Sequence, residues 1–255
     1  MAMGPQRGAT GVLIVTGGSR GIGAATCRLA AARGWDVAIN YAQDEPAAER
    51  VAAEVEAAGR RAAVIRGDMA VAGDVLSLFQ AAARLGPVTG VVNNAGVIGA
   101  AGPLAEAPAD MIAGVVAVNV TGAILVAREA ARVMARSRGG RGGALVNLSS
   151  IAATLGAPGE YVWYAASKGA IDSLTIGLSK ELGPEGVRVN AVSPGLIETD
   201  IHAAGGQPDR LARLAVGTPM GRAGGPDEVA EAIVWLLSEA ASYVTGANLR
   251  VGGGR

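Results

Sequence analysis

Val12-Leu13-Ile14-Val15-Thr16-Gly17-Gly18-Ser19-Arg20-Gly21-Ile22-Gly23 decides the architecture of this 255-residue chain. The apolar run Val12 to Val15 suits a strand buried on both faces of a parallel sheet. It passes straight into a glycine loop, and Ala24 to Ala32 then reads as a strong helix former. Strand, glycine turn and helix in this order make a phosphate cradle, because a helix N-terminus offers free N–H groups and the positive end of its dipole. Gly17 permits the tight turn, Gly21 lets a pyrophosphate approach the main chain, and Gly23 lets helix and strand pack closely. The spacing is T-G-x-x-x-G-x-G, not the commoner G-x-G-x-x-G.

Working outward, apolar runs and helical patterns alternate to the end of the chain. Strands are predicted near 12–16, 36–41, 62–66, 88–93, 143–148, 187–192 and 248–251. Helices are predicted near 22–33, 45–58, 72–84, 108–136, 163–182 and 226–238. This alternation implies an α/β fold, a Rossmann-type doubly wound parallel sheet of about seven strands with helices on both faces. Ligands of such sheets bind beyond the carboxyl ends of the strands. The glycine loop, Asp68, Asn93, Ser150 and Pro194 all fall just after predicted strands, which points to one shared site. No Pro/Ser-rich linker or charge block divides the chain. Residues 11–255 therefore read as one domain, with a flexible N-terminus at 1–10 and a substrate loop near 196–220.

Composition excludes several functions. The 22 Lys and Arg balance 22 Asp and Glu, which argues against a nucleic-acid surface. The lone Cys27 rules out an internal disulfide framework and fits a reducing, cytoplasmic setting; inside the first helix it reads as a buried structural thiol. Met1 to Thr10 lacks the apolar core of a signal peptide. Met111 to Ala127 is strongly apolar, but it is short for a membrane span and is interrupted by Asn119 and Thr121. Burial in the core and in a subunit contact is the expected explanation, with no membrane partner. No His/Cys/carboxylate cluster has metal-ligand spacing, so no metal is expected.

Chemistry is carried by Tyr164-Ala165-Ala166-Ser167-Lys168, which begins fourteen residues after Ser150. On a helix, positions i and i+4 share a face, so phenol and ammonium are neighbours. A nearby cation is expected to lower the tyrosine pKa and fit it for proton transfer to a carbonyl or alcohol oxygen. Tyr161 has Ala165 four residues on and reads as a decoy. Ser149 reads as structural, Trp163 as packing that can edge a substrate mouth, and the single His202 as a surface or substrate-loop residue.

Taken together, these motifs resemble the classical short-chain dehydrogenases/reductases over nearly the whole chain, and the 3-oxoacyl-carrier-protein reductases in particular. Thr16-Gly17-x-x-x-Gly21-x-Gly23 looks like their cofactor loop, and Asn93-Asn94-Ala95-Gly96 like their N-N-A-G motif. Asn119, Ser150, Tyr164 and Lys168 match their catalytic set. Ser193-Pro194-Gly195 with Ile197 and Thr199 matches the segment that closes over the nicotinamide. Gly221-Arg222-x-Gly224-x-Pro226 and Thr245-Gly246 fit the C-terminal pattern. The resemblance implies that Tyr164 donates a proton, that Ser150 binds the same oxygen, and that Lys168 tunes the tyrosine and holds the nicotinamide ribose. It implies that Asn119 holds a helix kink and a water, and that Asp68, with Met69 beside it, meets the adenine. Ser19, Arg20 and Ile22 complete the loop's contacts.

The resemblance also implies NADP(H) as the preferred cofactor, with NAD(H) possible. The end of the second strand, Asn40-Tyr41, is expected to contact the cofactor but has no acidic residue to grip a ribose diol, and Arg20 can meet a 2′-phosphate. A small carbonyl or alcohol substrate and a homotetramer are expected. A sugar or polyol dehydrogenase is the alternative enzyme, and a catalytically silent cofactor-binding scaffold the alternative of another class. Two positions depart from the carrier-protein reductases. Glu185 stands where a basic residue usually precedes Gly186-Val187, which would weaken docking of an acidic carrier. Gly252 replaces the aspartate of Val-Asp-Gly-Gly.

Overall fold

The computed structural model describes residues 11–199, 205–207 and 209–255. The expected flexible segment at 1–10, Asp200 of the motif Ile197-Glu198-Thr199-Asp200, and His202 lie outside the described residues. The strands are β1 (Val12–Val15), β2 (Asp36–Tyr41), β3 (Ala62–Arg66), β4 (Val88–Asn93), β5 (Gly143–Leu148), β6 (Val187–Pro194) and β7 (Asn248–Val251). They form one parallel sheet in the order β3-β2-β1-β4-β5-β6-β7. The strand order reverses between β1 and β4, and a ligand crevice opens at that switch point.

Nine helices surround the sheet among the described residues: α1 (Gly21–Ala32), α2 (Glu45–Ala57), α3 (Ala72–Ala83), α4 (Ala109–Val116), α5 (Ala123–Met134), α6 (Ala152–Leu155), α7 (Val162–Leu182), α8 (Arg210–Ala215) and α9 (Pro226–Leu237). Side chains alternate across a strand, so β1 feeds two cores. Leu13 and Val15 pack with Val37, Val146, Val51 of α2 and Ile233 of α9. Val12 and Ile14 pack on the other face with Val91, Leu145, Leu78 of α3 and Val126 of α5. Burial on both faces explains why these strands are continuously apolar.

The helix expected at 108–136 is broken into α4, a six-residue π segment Ala117–Gly122, and α5. Such wide turns need a local cause. Here the Asn119 side chain turns inward to bond Val97, and Gly122 lies so close to the Met69 carbonyl that a β-carbon would sit 2.7 Å from its oxygen. The run Ala109–Met134 is long and apolar enough to cross a bilayer by length and composition alone, and 28% of an apolar 18-residue window within it is buried. The expected burial is therefore partial within one chain. Ala127, Ala130 and Met134 face the core, while Val116 and Ile124 are exposed. β6 runs two residues past its expected end because β7 pairs with its last four residues, Ala191 to Pro194. The short helices α6 and α8 were not expected.

Candidate active site

The glycine loop joins the ends of β1, β2 and β4. Gly17 has φ +61°, a conformation costly to a side chain, and a β-carbon on Gly23 would collide with the Gly17 carbonyl. Asn94 Nδ2 donates to the carbonyls of Thr16 at 2.8 Å and Gly17 at 3.1 Å. Thr16 Oγ1 accepts from the N–H groups of Asn94 and Ala95, both at 2.9 Å. The loop is thus held from outside, and the N-terminus of α1 stays open. Thr199 closes above it: a β-carbon on Gly21 would lie 3.1 Å from Thr199 Cγ2. This is the cradle a dinucleotide pyrophosphate requires, so the residues present fit that group.

At the end of β2, Asn40 is buried and its amide is committed. Its Oδ1 accepts from the Gly17 N–H at 3.1 Å, and its Nδ2 donates to the Gly67 carbonyl at 3.0 Å. Tyr41 is buried in the core, with its phenol hydrogen-bonded to Glu45. Both were expected as direct cofactor contacts; their side chains instead hold the loop and the core. Asp68 is exposed, and its Oδ1 accepts from the Ala70 N–H at 2.9 Å. Met69 is buried. The cations at this end are Arg20, exposed at the start of α1, and Arg66, exposed at the end of β3 directly across from Tyr41. The sequence reading missed Arg66, because the parallel register of β2 and β3 is what puts it there.

Asn119, Ser150, Tyr164 and Lys168 converge at the ends of β4 and β5. Asn119 Oδ1 accepts from the Val97 N–H, and its Nδ2 donates to the Val97 carbonyl, each at 2.8 Å. The same Nδ2 donates to Ser167 Oγ at 3.0 Å. Ser150 is hydrogen-bonded to the Tyr164 phenol. Lys168 is buried on the inner face of α7, and its Nζ donates to the Leu148 carbonyl at 2.7 Å. It lies 5.7 Å from the centroid of the Tyr164 ring.

The electrostatics correct one expectation. Burial pushes the Tyr164 phenol above its ordinary pKa; the Ser150 hydrogen bond and the Arg210 cation pull it back without reversing the shift. Lys168 does not depress it. Burial moves Lys168 itself down to about 8, opposed by Asp172. The reason is desolvation, which disfavours the charged form of each group and is the largest influence on both.

A cavity of about 490 Å³ joins these groups. Ile22, Asn94, Gly96, Ser150, Tyr164, Lys168, Pro194, Gly195, Ile197 and Thr199 line it at one side. Ile98, Leu155, Pro158, Glu160, Tyr161, Arg210 and Leu214 line it at the other. Tyr161, expected as a decoy, is a wall residue, and its phenol donates to the Gly205 carbonyl at 3.3 Å. Trp163 is packing: its Nε1 donates to the Ile98 carbonyl at 2.9 Å. Ser149 is structural, donating to the Lys168 carbonyl at 3.2 Å. Among the described residues no group of His, Cys, Asp and Glu is placed to hold a metal.

A family model described as enoyl-(acyl carrier protein) reductase matches residues 17–255. The chain belongs to the short-chain dehydrogenase/reductase family. An uncharacterised oxidoreductase of Escherichia coli, YgfF, is 49% identical to this dehydrogenase/reductase, across 96% of the chain and 99% of the relative. An L-rhamnose 1-dehydrogenase (NAD(P)⁺) of Sphingomonas is 39% identical, across 95% of the chain and 94% of the relative. A 3-oxoacyl-[acyl-carrier-protein] reductase of Synechocystis is 36% identical, across 95% and 96%. A crystal structure of a short-chain dehydrogenase from Burkholderia cenocepacia in complex with NADP is 34% identical, with a TM-score of 0.87, across 96% of the chain and 97% of that structure. The short-chain dehydrogenase/reductase described here is an oxidoreductase acting on alcohol and carbonyl groups.

Proposed function

We propose that this enzyme transfers hydride between NADP(H) and a carbonyl or secondary alcohol, in one domain spanning residues 11–255. The reading rests on one observation: the hydrogen-bonded Ser150–Tyr164 pair and Lys168 line the same cavity as Asn94 and Thr199 of the cofactor crevice. A bound nicotinamide supplies or accepts the hydride. In reduction, Tyr164 gives its phenolic proton to the substrate oxygen, and Ser150 donates a hydrogen bond that stabilises the developing charge there. Lys168 holds the ribose from its place beside the Tyr164 ring. Asn119 fixes the wide turn and positions Ser167, one residue before Lys168. Asn94, Gly96 and the Pro194–Thr199 segment enclose the nicotinamide end, and the α1 N-terminus holds the pyrophosphate.

Arg20 and Arg66 favour a 2′-phosphate, which supports NADP(H), with NAD(H) also accepted. Glu45 sits at the same end, paired with Tyr41, and moderates the preference. The enzyme is read as soluble, cytoplasmic and tetrameric, with the exposed apolar sides of α4 and α5 covered by other copies.

For substrate, the Ile197-Glu198-Thr199 segment and the Synechocystis relative support a 3-oxoacyl thioester. A sugar or polyol is favoured by the rhamnose dehydrogenase relative and by Glu185. The Glu185 carboxylate accepts from the Ser137 N–H at 2.8 Å, so it is a fixed negative charge where an acidic carrier would need a base. Purified enzyme assayed with NADPH and NADH against ketones, 3-oxoacyl thioesters and sugars, and in reverse against alcohols, decides among these. Turnover of no carbonyl or alcohol with either cofactor overturns the proposal.

A further inference from the structure

The cavity wall opposite Ser150 carries a charge that hydride transfer does not use. Arg210, at the start of α8, faces the cavity with a side chain only 14% exposed. Its Nε and Nη2 donate to Glu160 Oε2 at 3.2 Å and 2.8 Å. Its guanidinium carbon lies 5.4 Å from the centroid of the Tyr161 ring. Its Nη1 donates to no described residue. Glu160 is shared, since its Oε1 lies 3.5 Å from Arg213 Nη2. One carboxylate thus faces two guanidinium groups, and the cluster keeps a surplus positive charge. Glu160 is the sole acidic side chain among the described lining residues, against Lys168, Arg210 and Arg255. The rest of this wall is largely apolar: Ile98, Leu155, Pro158 and Leu214.

A latch between α8 and the Glu160 loop would explain the ion pair. It does not explain the surplus cation, the donors that reach no described residue or the cavity-facing position. A cation between low-dielectric walls attracts an anion strongly. A guanidinium with one edge engaged, and with donors that reach no described residue, matches a planar carboxylate. Arg210 lines the same cavity as Ser150 and Tyr164, and its field reaches the Tyr164 phenol, so one molecule can meet all three.

We propose that the substrate of this cavity is an oxo acid or its hydroxy-acid counterpart, with its carboxylate received by Arg210 while its carbonyl or alcohol meets Ser150 and Tyr164. This rests on the oxidoreductase reading above and narrows it. Tyr161 holds Arg210 by stacking, and Glu160 sets how much of its charge the substrate sees. Tight binding of a neutral sugar would leave this cation without a use.

The test compares levulinate with its methyl ester, and two longer oxo acids with theirs, using wild type, Arg210→Gln and Glu160→Gln with NADPH. Each pair keeps the same ketone and differs in charge. The expected result is a wild-type preference in kcat/KM for the acid of about 10- to 100-fold at one chain length. That preference falls toward unity in Arg210→Gln, rises in Glu160→Gln, and weakens with added salt. Reading the acid-to-ester ratio cancels any loss caused by a loosened α8. An ester turned over as well as its acid at every length overturns the inference and leaves the oxidoreductase reading standing, as does an Arg210→Gln variant with an unchanged ratio. No turnover of any carbonyl or alcohol, neutral substrates included, overturns both.

Discussion

The Lys168 ammonium donates to the Leu148 carbonyl at 2.7 Å, from a position buried beneath the Tyr164 ring. This bond anchors α7 to the end of β5 and brings a charge into a poorly hydrated place. Burial moves its pKa from 10.5 to about 8. Because the folded value is depressed, the unfolded chain binds more protons between about pH 8 and 10.5. This group therefore makes stability rise with pH across that window. Urea midpoints of wild type and Lys168→Met, measured from pH 7 to 10.5, should show the wild-type rise flattened in the variant. Parallel curves would count against the burial of an ionised lysine.

Replacing Tyr164 by Phe removes the proposed proton donor and leaves the crevice intact. The variant should bind NADPH with near wild-type affinity by fluorescence titration and lose turnover by at least about a hundredfold. Because burial raises the phenol's pKa, wild-type carbonyl reduction should persist into mildly alkaline pH, while alcohol oxidation should climb with pH as the phenolate forms. Near wild-type turnover by the variant would remove Tyr164 from the mechanism.

Asn119 satisfies both the N–H and the carbonyl of Val97 and reaches Ser167. Asn119→Ala leaves these partly buried groups unpaired, which should cost about 1–3 kcal/mol in denaturant unfolding. It should also lower kcat more than it alters cofactor affinity, since Ser167 adjoins Lys168 on α7. A variant as stable as wild type would show that the wide turn does not depend on this side chain.

Ala157, on the cavity wall, has φ +44°, a left-handed conformation in a residue with a β-carbon. Ala157→Gly should relieve about 1 kcal/mol of that strain, offset in part by the greater freedom of glycine when unfolded. The melting temperature should be unchanged or slightly raised. A large fall would show that the Ala157 methyl matters more as packing.

Val116, Ile124 and Ile176 are 41%, 46% and 51% exposed on α4, α5 and α7. Multi-angle light scattering should return a tetramer, or a dimer on dilution, and Ile124→Glu with Ile176→Glu should lower the mass. A wild-type monomer across a broad concentration range would overturn the assembly. For cofactor choice, Arg20→Ala and Arg66→Ala should each weaken NADPH by about tenfold and NADH little. Tighter wild-type binding of NADH would reverse the assignment.

Local pattern by itself determined the strands, the main helices and their parallel arrangement. Continuous apolar runs such as Val12 to Val15 leave a buried parallel strand as their best use, and the Thr16–Gly23 spacing marks a cradle whatever lies elsewhere. Tyr164 and Lys168 were legible as a pair from their i, i+4 spacing, whereas Asn119 and Ser150 were named through the family resemblance. Tertiary structure decided what depends on partners distant in the chain. Asn40 is spent on Gly17 and Gly67, Arg66 reaches the Tyr41 end by strand register, and the helix around Asn119 widens to bond Val97. The Tyr164 pKa turned on burial, which is set by every neighbour at once and not by a lysine four residues away. Arg210 and Glu160 lie fifty residues apart in the chain and meet at the cavity wall, and no local spacing records a contact between segments so distant in sequence.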